Sequence, residues 1–365
     1  MKEYESVKRL QKIMEKKDVD LVVLCPSANW VYLVPYAPIS EERSTFLFIS
    51  KTDVCSVIPD FDREEFVEKT GLETVFSWTD AEDPKQAVQQ AWDLIASNTT
   101  REVALDDKMP FIHWKALEPH IAGLSSRLAS DLLMELRIIK RPEEIEAIRT
   151  TSVLIERTLS RADEVFKEGL TEKEVEAKLK SILLEEGVDT LDYILVQAWP
   201  NSASPHHLPG STLVKRGEPV LLDIALSHNG FFSDITRQVS IGEPTEEYKK
   251  IFSIVREAQA KAVDIVKPGI PLGDVDKAAR ETIAKSGFGE FFIHRIGHGL
   301  GREVHEPPSV WEGNPMLMRP GMVFTIEPGI YLPAKFGVRI EDTIAVTEQG
   351  ADRLTASDRE LIILS

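Results

Sequence analysis

Five residues at wide intervals carry side chains that can bind a metal ion or move a proton: Asp223 in "LLDIAL", Asp234 in "FFSDIT", His298 in "IGHGLG", Glu327 in "FTIEPG" and Glu341 in "VRIEDT". A carboxylate inside an apolar strand is costly unless it is paired or bound to a cation. Any one of them reads equally as a structural ion pair or hydrogen-bond acceptor. Four of them, spread over two similar hairpin-like units with a His- and Gly-rich stretch between, point to a shared site. Two Asp, two Glu and one His make an oxygen-rich set with a single nitrogen. Such a set suits a pair of divalent ions (Mn, Co or Zn) better than a closed structural zinc site, which prefers Cys and His. Two such ions, roughly 3.5–4 Å apart, can share bridging carboxylates and a bridging hydroxide, a ready nucleophile at neutral pH.

The stretch between the carboxylates is "HRIGHGLGREVHE", with His294, His298 and His305 at intervals of four and seven in a chain of eight histidines. Two histidines four apart share a helix face, and a zinc-protease helix places Glu directly after the first. Here Arg295 follows His294, and Gly297, Gly299 and Gly301 interrupt the run. Each glycine costs about 1 kcal/mol in a helix interior. A loop or irregular strand is expected instead, with backbone packed close to something.

The elements that must position these groups follow from periodicity. Asn229-Gly230 between Asp223 and Asp234 suits a tight hairpin turn that brings both aspartates to one face. Glu327 and Glu341 lie on a second pair of strands, whose connection contains Pro333 and Gly337. Upstream, residues 4–17 read as an amphipathic helix with Val7, Leu10, Ile13 and Met14 on one stripe. "DLVVLC", "STFLFIS", "DVCSVIP" and "EVALDD" read as strands, and Asp83-Pro84 opens a helix. Residues 1–127 are therefore expected to form a small α/β domain, and residues 128–365 the catalytic one. Pro142 begins a long helix, and Thr171 with Glu174 caps another.

The net charge of −17 over 365 residues argues against a nucleic-acid binder, which needs a basic face. Cys25 and Cys55 have no metal spacing and make no disulfide framework, so both are expected as small buried residues. The N-terminal residues lack the apolar core of a signal peptide, and no stretch approaches the ~20 apolar residues of a membrane span. A cytoplasmic protein with no membrane partner is expected.

The motifs "LLDIALSHNGFFSDITR", "GHGLGREVHEPP", "TIEPGIY" and "VRIEDT", in this order and at these intervals, resemble the aminopeptidase P and prolidase (Xaa-Pro dipeptidase) branch of the pita-bread metallopeptidases. The resemblance extends over essentially the whole chain, including "RLQKIMEKKDVDLVVLCPSANWVYL" and "LRIIKRPEEIEAIR". It implies an α/β (α+β) fold: a small N-terminal creatinase-like domain, then a pita-bread domain whose pseudo-twofold, mainly antiparallel sheet is flanked by helices. It implies two divalent metal ions, Mn in first place with Co or Zn as alternatives, held by Asp223, Asp234, His298, Glu327 and Glu341. Asp234 and Glu341 would bridge both ions, and Glu327 would act as general base and acid. His206 and His305 match histidines that hydrogen-bond the scissile carbonyl and the substrate. His207 is the rival of His206, and the interval to Asp223 favours His206. His294 matches a residue of the substrate pocket wall, while Arg339 and Tyr331 match positions that support the site. The implied partner is a short proline-containing peptide, and the implied assembly a homodimer.

The sequence departs from the family pattern in three places. Asp223-Ile224-Ala225 stands for Asp-x-Gly, and Gln238 replaces the second threonine of "TRT". Prolidases often carry an arginine soon after the His305 position, where this chain has Glu306-Pro307-Pro308-Ser309. Arg302, or residues of the first domain, are the candidates to grip a dipeptide carboxylate in its place. Trp30 and Tyr32 are open between a core role and a reach into a partner's active site. His113 and His120 read as ordinary satisfied residues. The glycines around His298 are expected to let backbone run close to a bound peptide and a dinuclear centre. Creatinase-like or lyase chemistry on small molecules, and a non-catalytic interaction role, are the alternatives on this fold. Such relatives tend to lose ligand residues, and this chain keeps all of them.

Overall fold

The computed structural model describes residues 4–39 and 42–365. The chain divides into two compact units, Met1–Arg137 and Ile138–Ser365. The seam therefore falls after the helix Ser130–Arg137 and not at 127/128. Leu132, Leu133 and Leu136 of that helix pack in the core of the first unit. Among the described residues no helix is long and apolar enough to cross a membrane.

The first unit is built on six strands: β1 (Leu21–Leu24), β2 (Phe46–Ser50), β3 (Val54–Pro59), β4 (Val75–Trp78), β5 (Glu102–Leu105) and β6 (Ser125–Leu128). They form one mixed sheet in the order β4-β3-β2-β1-β5-β6, with β1, β2 and β3 antiparallel and the outer pairs parallel. The expected N-terminal helix spans Glu5–Lys17 and buries Val7, Leu10 and Met14. Trp30 is fully buried, packs edge-on against Phe66 and donates from Nε1 to Tyr36 O at 2.9 Å. Tyr32 donates to Leu136 O at 3.2 Å. The core reading holds for Trp30, whose indole is fully buried, whereas Tyr32 is only partly buried. Cys25 and Cys55 are buried in the same unit, and burial pushes both thiols above their ordinary range.

The second unit opens with the helix Pro142–Ser160, with Pro142 in its first turn and Glu144 accepting from Arg141 N at 2.9 Å. It is not continuous to the next loop; a separate turn, Ala162–Val165, follows. The helix Glu172–Glu185 carries the expected capping box, Glu174 N to Thr171 Oγ1 at 3.2 Å and Thr171 N to Glu174 Oε2 at 2.7 Å.

Eleven strands follow: β7 (Thr190–Gln197), β8 (Val220–His228), β9 (Phe231–Ile241), β10 (Gly297–Gly299), β11 (Glu306–Val310), β12 (Val323–Ile326), β13 (Gly329–Leu332), β14 (Phe336–Arg339), β15 (Asp342–Val346), β16 (Ala351–Arg353) and β17 (Ile362–Leu364). One sheet has the order β17-β9-β8-β7, another β11-β10-β12-β15-β16, and β13 and β14 pair as a ribbon. All pairings are antiparallel except β17 with β9. The helices Glu246–Ile265 and Leu272–Lys285 lie in sequence between the two strand groups and pack on each other.

Two buried ties hold β9 against the start of β15. Arg237 donates to Asp342 Oδ1 at 2.7 Å and to Glu341 O at 2.5 Å. Thr343 Oγ1 donates to Asp234 O at 3.1 Å. Together with the Glu341 N to Thr236 O bond at 3.2 Å, these ties set the two acidic hairpins in a common register.

Candidate metal centre and substrate cleft

The first carboxylate pair follows directly from strand geometry. Asn229 (φ 52°) and Gly230 (φ 70°) make the left-handed turn that joins β8 to β9. The register then pairs Ala225 with Asp234 and Asp223 with Thr236. Cross-strand partners share a face, and so do residues two apart, so Asp223 and Asp234 point the same way. The second pair forms differently. Ile326 pairs with Asp342, and Glu327 and Glu341 are the residues immediately beyond that last pair. Glu327 N donates to Ile296 O at 2.8 Å, and Glu341 N to Thr236 O at 3.2 Å. The second of these bonds places Glu341 beside the first pair.

His298 sits in the middle of β10 between β12 and β11. The neighbouring glycines explain how so short a strand fits. A Cβ at Gly297 would lie 1.9 Å from Thr325 O, and one at Gly299 would lie 2.4 Å from Pro307 O. The glycines thus admit neighbouring strands of the protein's own backbone, not a bound peptide as expected. The physical reason is that β10 is paired on both edges, so nothing else can approach its backbone.

The resulting site is a cleft of about 560 Å³ whose lining includes Asp223, Asp234, His298, Glu327 and Glu341. Asp234, His298 and Glu341 each offer one ligand atom, all within 4.8 Å of one another. His298 Nε2 lies 3.4 Å from Glu327 Oε1 and 3.8 Å from Asp234 Oδ2. Asp223 is held by Arg339, Nη2 to Oδ2 at 2.6 Å. Asp223 Oδ1, Asp234 Oδ1 and Glu341 Oε1 are buried with no hydrogen-bond partner among the described residues. Buried unpaired oxygens on clustered carboxylates are costly, and a cation is what would satisfy them.

Electrostatics say the same. Burial, then the neighbouring Glu341 and Asp223 charges, raise the Asp234 carboxyl well above the usual range. Burial, then Glu327 and Asp223, do so for Glu341. Burial raises Glu327 to about 7, against the opposing pull of Arg339. Burial, with His305 nearby, lowers His298 to about 3, so its ring is neutral and able to ligate. The donor set therefore fits divalent ions: acidic oxygens that resist ionising together without a counter-charge, plus one neutral imidazole.

His206, His294 and His305 also line the cleft. His305 lies against His298 with ring centres 4.0 Å apart, and partial burial lowers its pKa. His207 does not line the cleft; its ring faces Glu172, Nε2 to Oε2 at 3.5 Å. Arg339 lines the cleft but is committed to Asp223, and to Thr236 Oγ1 at 3.1 Å. Tyr331 stands one layer behind the lining, its hydroxyl 2.9 Å from Arg339 Nη1 and 3.0 Å from His294 Nε2.

Arg302 does not take the place expected of it. Its guanidinium lies 3.9 Å over the Phe231 ring and donates to Gly230 O at 3.2 Å, outside the cleft lining. The arginine that does line the cleft is Arg295, which donates to Ser309 Oγ at 2.9 Å. Sequence reading passed over Arg295 as only the residue after His294. Asp192 and Tyr193 are further lining residues it missed. Adjacent strand residues normally face opposite sides, but a bulge in β7 between Leu191 and Tyr193 lets both reach the cleft. Tyr193 donates to Asp234 Oδ2 at 2.7 Å.

A buried ion pair supports the His305 segment. Lys140 Nζ lies 2.8 Å from Glu306 Oε1, with side chains 3% and 2% exposed, and Glu306 Oε2 accepts from Arg302 N at 3.0 Å. Removing one partner strands the other charge. Lys140→Met is expected to lower unfolding stability by about 3 kcal/mol in urea melts. A loss below about 1 kcal/mol would mean that water or rearrangement relieves Glu306.

Comparison with known proteins agrees with this architecture. Residues 146–348 match metallopeptidase family M24, and residues 7–139 match the creatinase/prolidase N-terminal domain. A probable dipeptidase PepE of Mycobacterium tuberculosis is 34% identical over 348 residues, 94% of this chain and 92% of the relative. A Xaa-Pro dipeptidase of Pyrococcus horikoshii is 32% identical over 360 residues, 98% of this chain and 99% of the relative. The crystal structure of a recombinant prolidase from Thermococcus sibiricus superposes with a TM-score of 0.94 at 36% identity, covering 100% of both chains. That of an X-Pro aminopeptidase from Thermotoga maritima gives 0.86 at 29% identity, over 98% of this chain and 99% of that one.

Proposed function

The chain belongs to metallopeptidase family M24, and from that premise we propose that it hydrolyses the bond preceding proline in dipeptides and other short peptides. The observation that carries this reading is the buried convergence of Asp223, Asp234, His298, Glu327 and Glu341 on one cleft, with three carboxylate oxygens unpartnered. These five residues would hold two divalent ions, Mn foremost. Bound ions of this kind lower the pKa of water and polarise a carbonyl oxygen.

The chain's own residues do the rest. Burial tunes Glu327 to about 7, before any cation is counted, where a carboxylate can both accept and return a proton. Glu327 accepts the proton of the attacking water and delivers it to the proline nitrogen as the C–N bond breaks. That nitrogen carries no hydrogen in the substrate, so it needs this proton to leave as an amine. His206 and His305 donate hydrogen bonds to the carbonyl oxygen as charge develops on it. Arg339 fixes Asp223, and Tyr331 fixes Arg339 and His294.

Arg295 is the cleft cation with no metal-site carboxylate to hold, which favours a substrate with a nearby free carboxylate, that is, a dipeptide. A homodimer belongs to the same reading and would show by light scattering as twice the 41.0 kDa chain mass. Small-molecule chemistry and a non-catalytic role have no observation in their favour.

The test is hydrolysis of a Xaa-Pro dipeptide and a Xaa-Pro-Yaa tripeptide after chelation and readdition of Mn, Co or Zn. Cleavage of neither under any metal would sink the proposal. Arg295→Ala is expected to raise KM for the dipeptide about 10-fold, with little change in kcat, for loss of one charged hydrogen bond. Equal effects on dipeptide and tripeptide would remove the case for carboxylate recognition.

A further inference from the structure

Gln197 closes β7 and is fully buried. Its side-chain amide donates to two main-chain carbonyls, Pro205 O at 3.1 Å and His207 O at 3.0 Å. These carbonyls stand on either side of His206. Apart from a single 3-10 turn at Asn201–Ala203, the segment they belong to has no regular secondary structure, so side-chain contacts must define its path. Glu172, itself fully buried, anchors the two ends of the segment, accepting from Ala198 N at 2.7 Å and from Gly210 N at 2.8 Å. Between those anchors, Gln197 grips the centre, joined at the limit of hydrogen-bond reach by Arg339 Nη1 to Pro205 O at 3.5 Å.

The Gln197 amide gives both its N–H bonds to this bracket while its own Oε1 stays buried with no partner among the described residues. An unpaired buried acceptor carries a desolvation penalty, so such an arrangement is poor value as scaffold alone. Gln197 itself is not part of the cleft lining.

We propose that Gln197 is a positioning residue for the reaction: by holding the carbonyls that flank His206, it sets that imidazole against the scissile carbonyl. The inference rests on the reading of His206 as a substrate-facing donor. Geometry is what it supplies, and a misplacement of about 1 Å at a reacting group can cost about 10²-fold in rate.

Two variants and a double-mutant cycle test it, using the full-length protein loaded with Mn and a Xaa-Pro dipeptide. Gln197→Leu removes both donors at similar volume. Gln197→Glu keeps the length but turns a carboxylate toward two carbonyl oxygens, so one variant remains if the other fails to fold. Each is expected to lower kcat roughly 10- to 100-fold while KM and bound metal stay within about 3-fold. In a His206→Ala background, the same substitutions are expected to cost less than about 3-fold more, because the group they position is gone. Wild-type kcat in both variants, or losses that multiply in full with His206→Ala, would overturn the positioning role. His206→Ala retaining full rate would instead overturn the reading of His206, and this inference with it.

Discussion

Glu327→Gln is expected to lower kcat for a Xaa-Pro dipeptide about 10³-fold while the protein keeps most of its bound metal. Gln preserves the shape of the side chain and one ligating oxygen, but it cannot take a proton from water or return one to the proline nitrogen. General acid–base catalysis by a positioned group contributes about 10²–10⁴-fold, and the proposed mechanism gives a single residue both steps. The side chains around Glu327 are retained in the variant: Thr325 Oγ1 at 3.3 Å, His298 Nε2 at 3.4 Å and the Arg339 guanidinium at 4.0 Å. Steady-state kinetics with metal content measured on the same sample decides the matter. A variant that keeps metal and retains more than about a tenth of the rate would take the general-base role away from Glu327.

The second large effect is a coupling between metal, pH and stability. In metal-free protein the carboxyls of Asp234, Glu341 and Glu327 have folded-state pKa values above their unfolded values, Glu327 at about 7 and the others raised well above the ordinary range. The folded state then binds more protons than the unfolded state, so stability falls as pH rises. The contribution is fully present below the ordinary carboxylate pKa. It is lost as pH climbs through about 7 for Glu327 and further for the other two.

Divalent ions replace those protons, and proton competition weakens with rising pH. The gain in Tm on adding Mn to chelated protein is therefore expected to grow from pH 5.5 to pH 8, by roughly 5 °C or more. A gain that is flat with pH, or that shrinks, would show that these carboxyls are already ionised without metal. Asp234→Asn removes one of the two most enclosed acids and is expected to flatten the pH dependence.

Much of this site was legible before any folding was considered. The hairpin carrying Asp223 and Asp234 is local: the Asn229-Gly230 turn sets the register, and the period of two in a strand puts both side chains on one face. The cap at Thr171, the helix start at Pro142 and the buried stripe of the Glu5–Lys17 helix are local in the same sense. Motif order and spacing added the family and named residues that the fold brings to one cleft, with His206 in its lining and His207 outside it.

What tertiary structure alone decided are the relations between segments far apart in sequence. The seam between the units moved past Arg137 because Leu132, Leu133 and Leu136 turned back into the first core, which no boundary signal encodes. Gly297 and Gly299 proved to serve strand packing, since only the pairing of β10 on both edges shows what their missing side chains would strike. Arg302 is spent on Phe231, and Arg295 faces the cleft in its stead. A side chain's direction depends on its surroundings more than on its type. Asp234 and Glu341 meet because Arg237 and Thr343 bind β9 to the start of β15 across about a hundred residues. A strand's own periodicity fixes which face a carboxylate takes. The partner that face meets is fixed by long-range packing, and this assembles the centre.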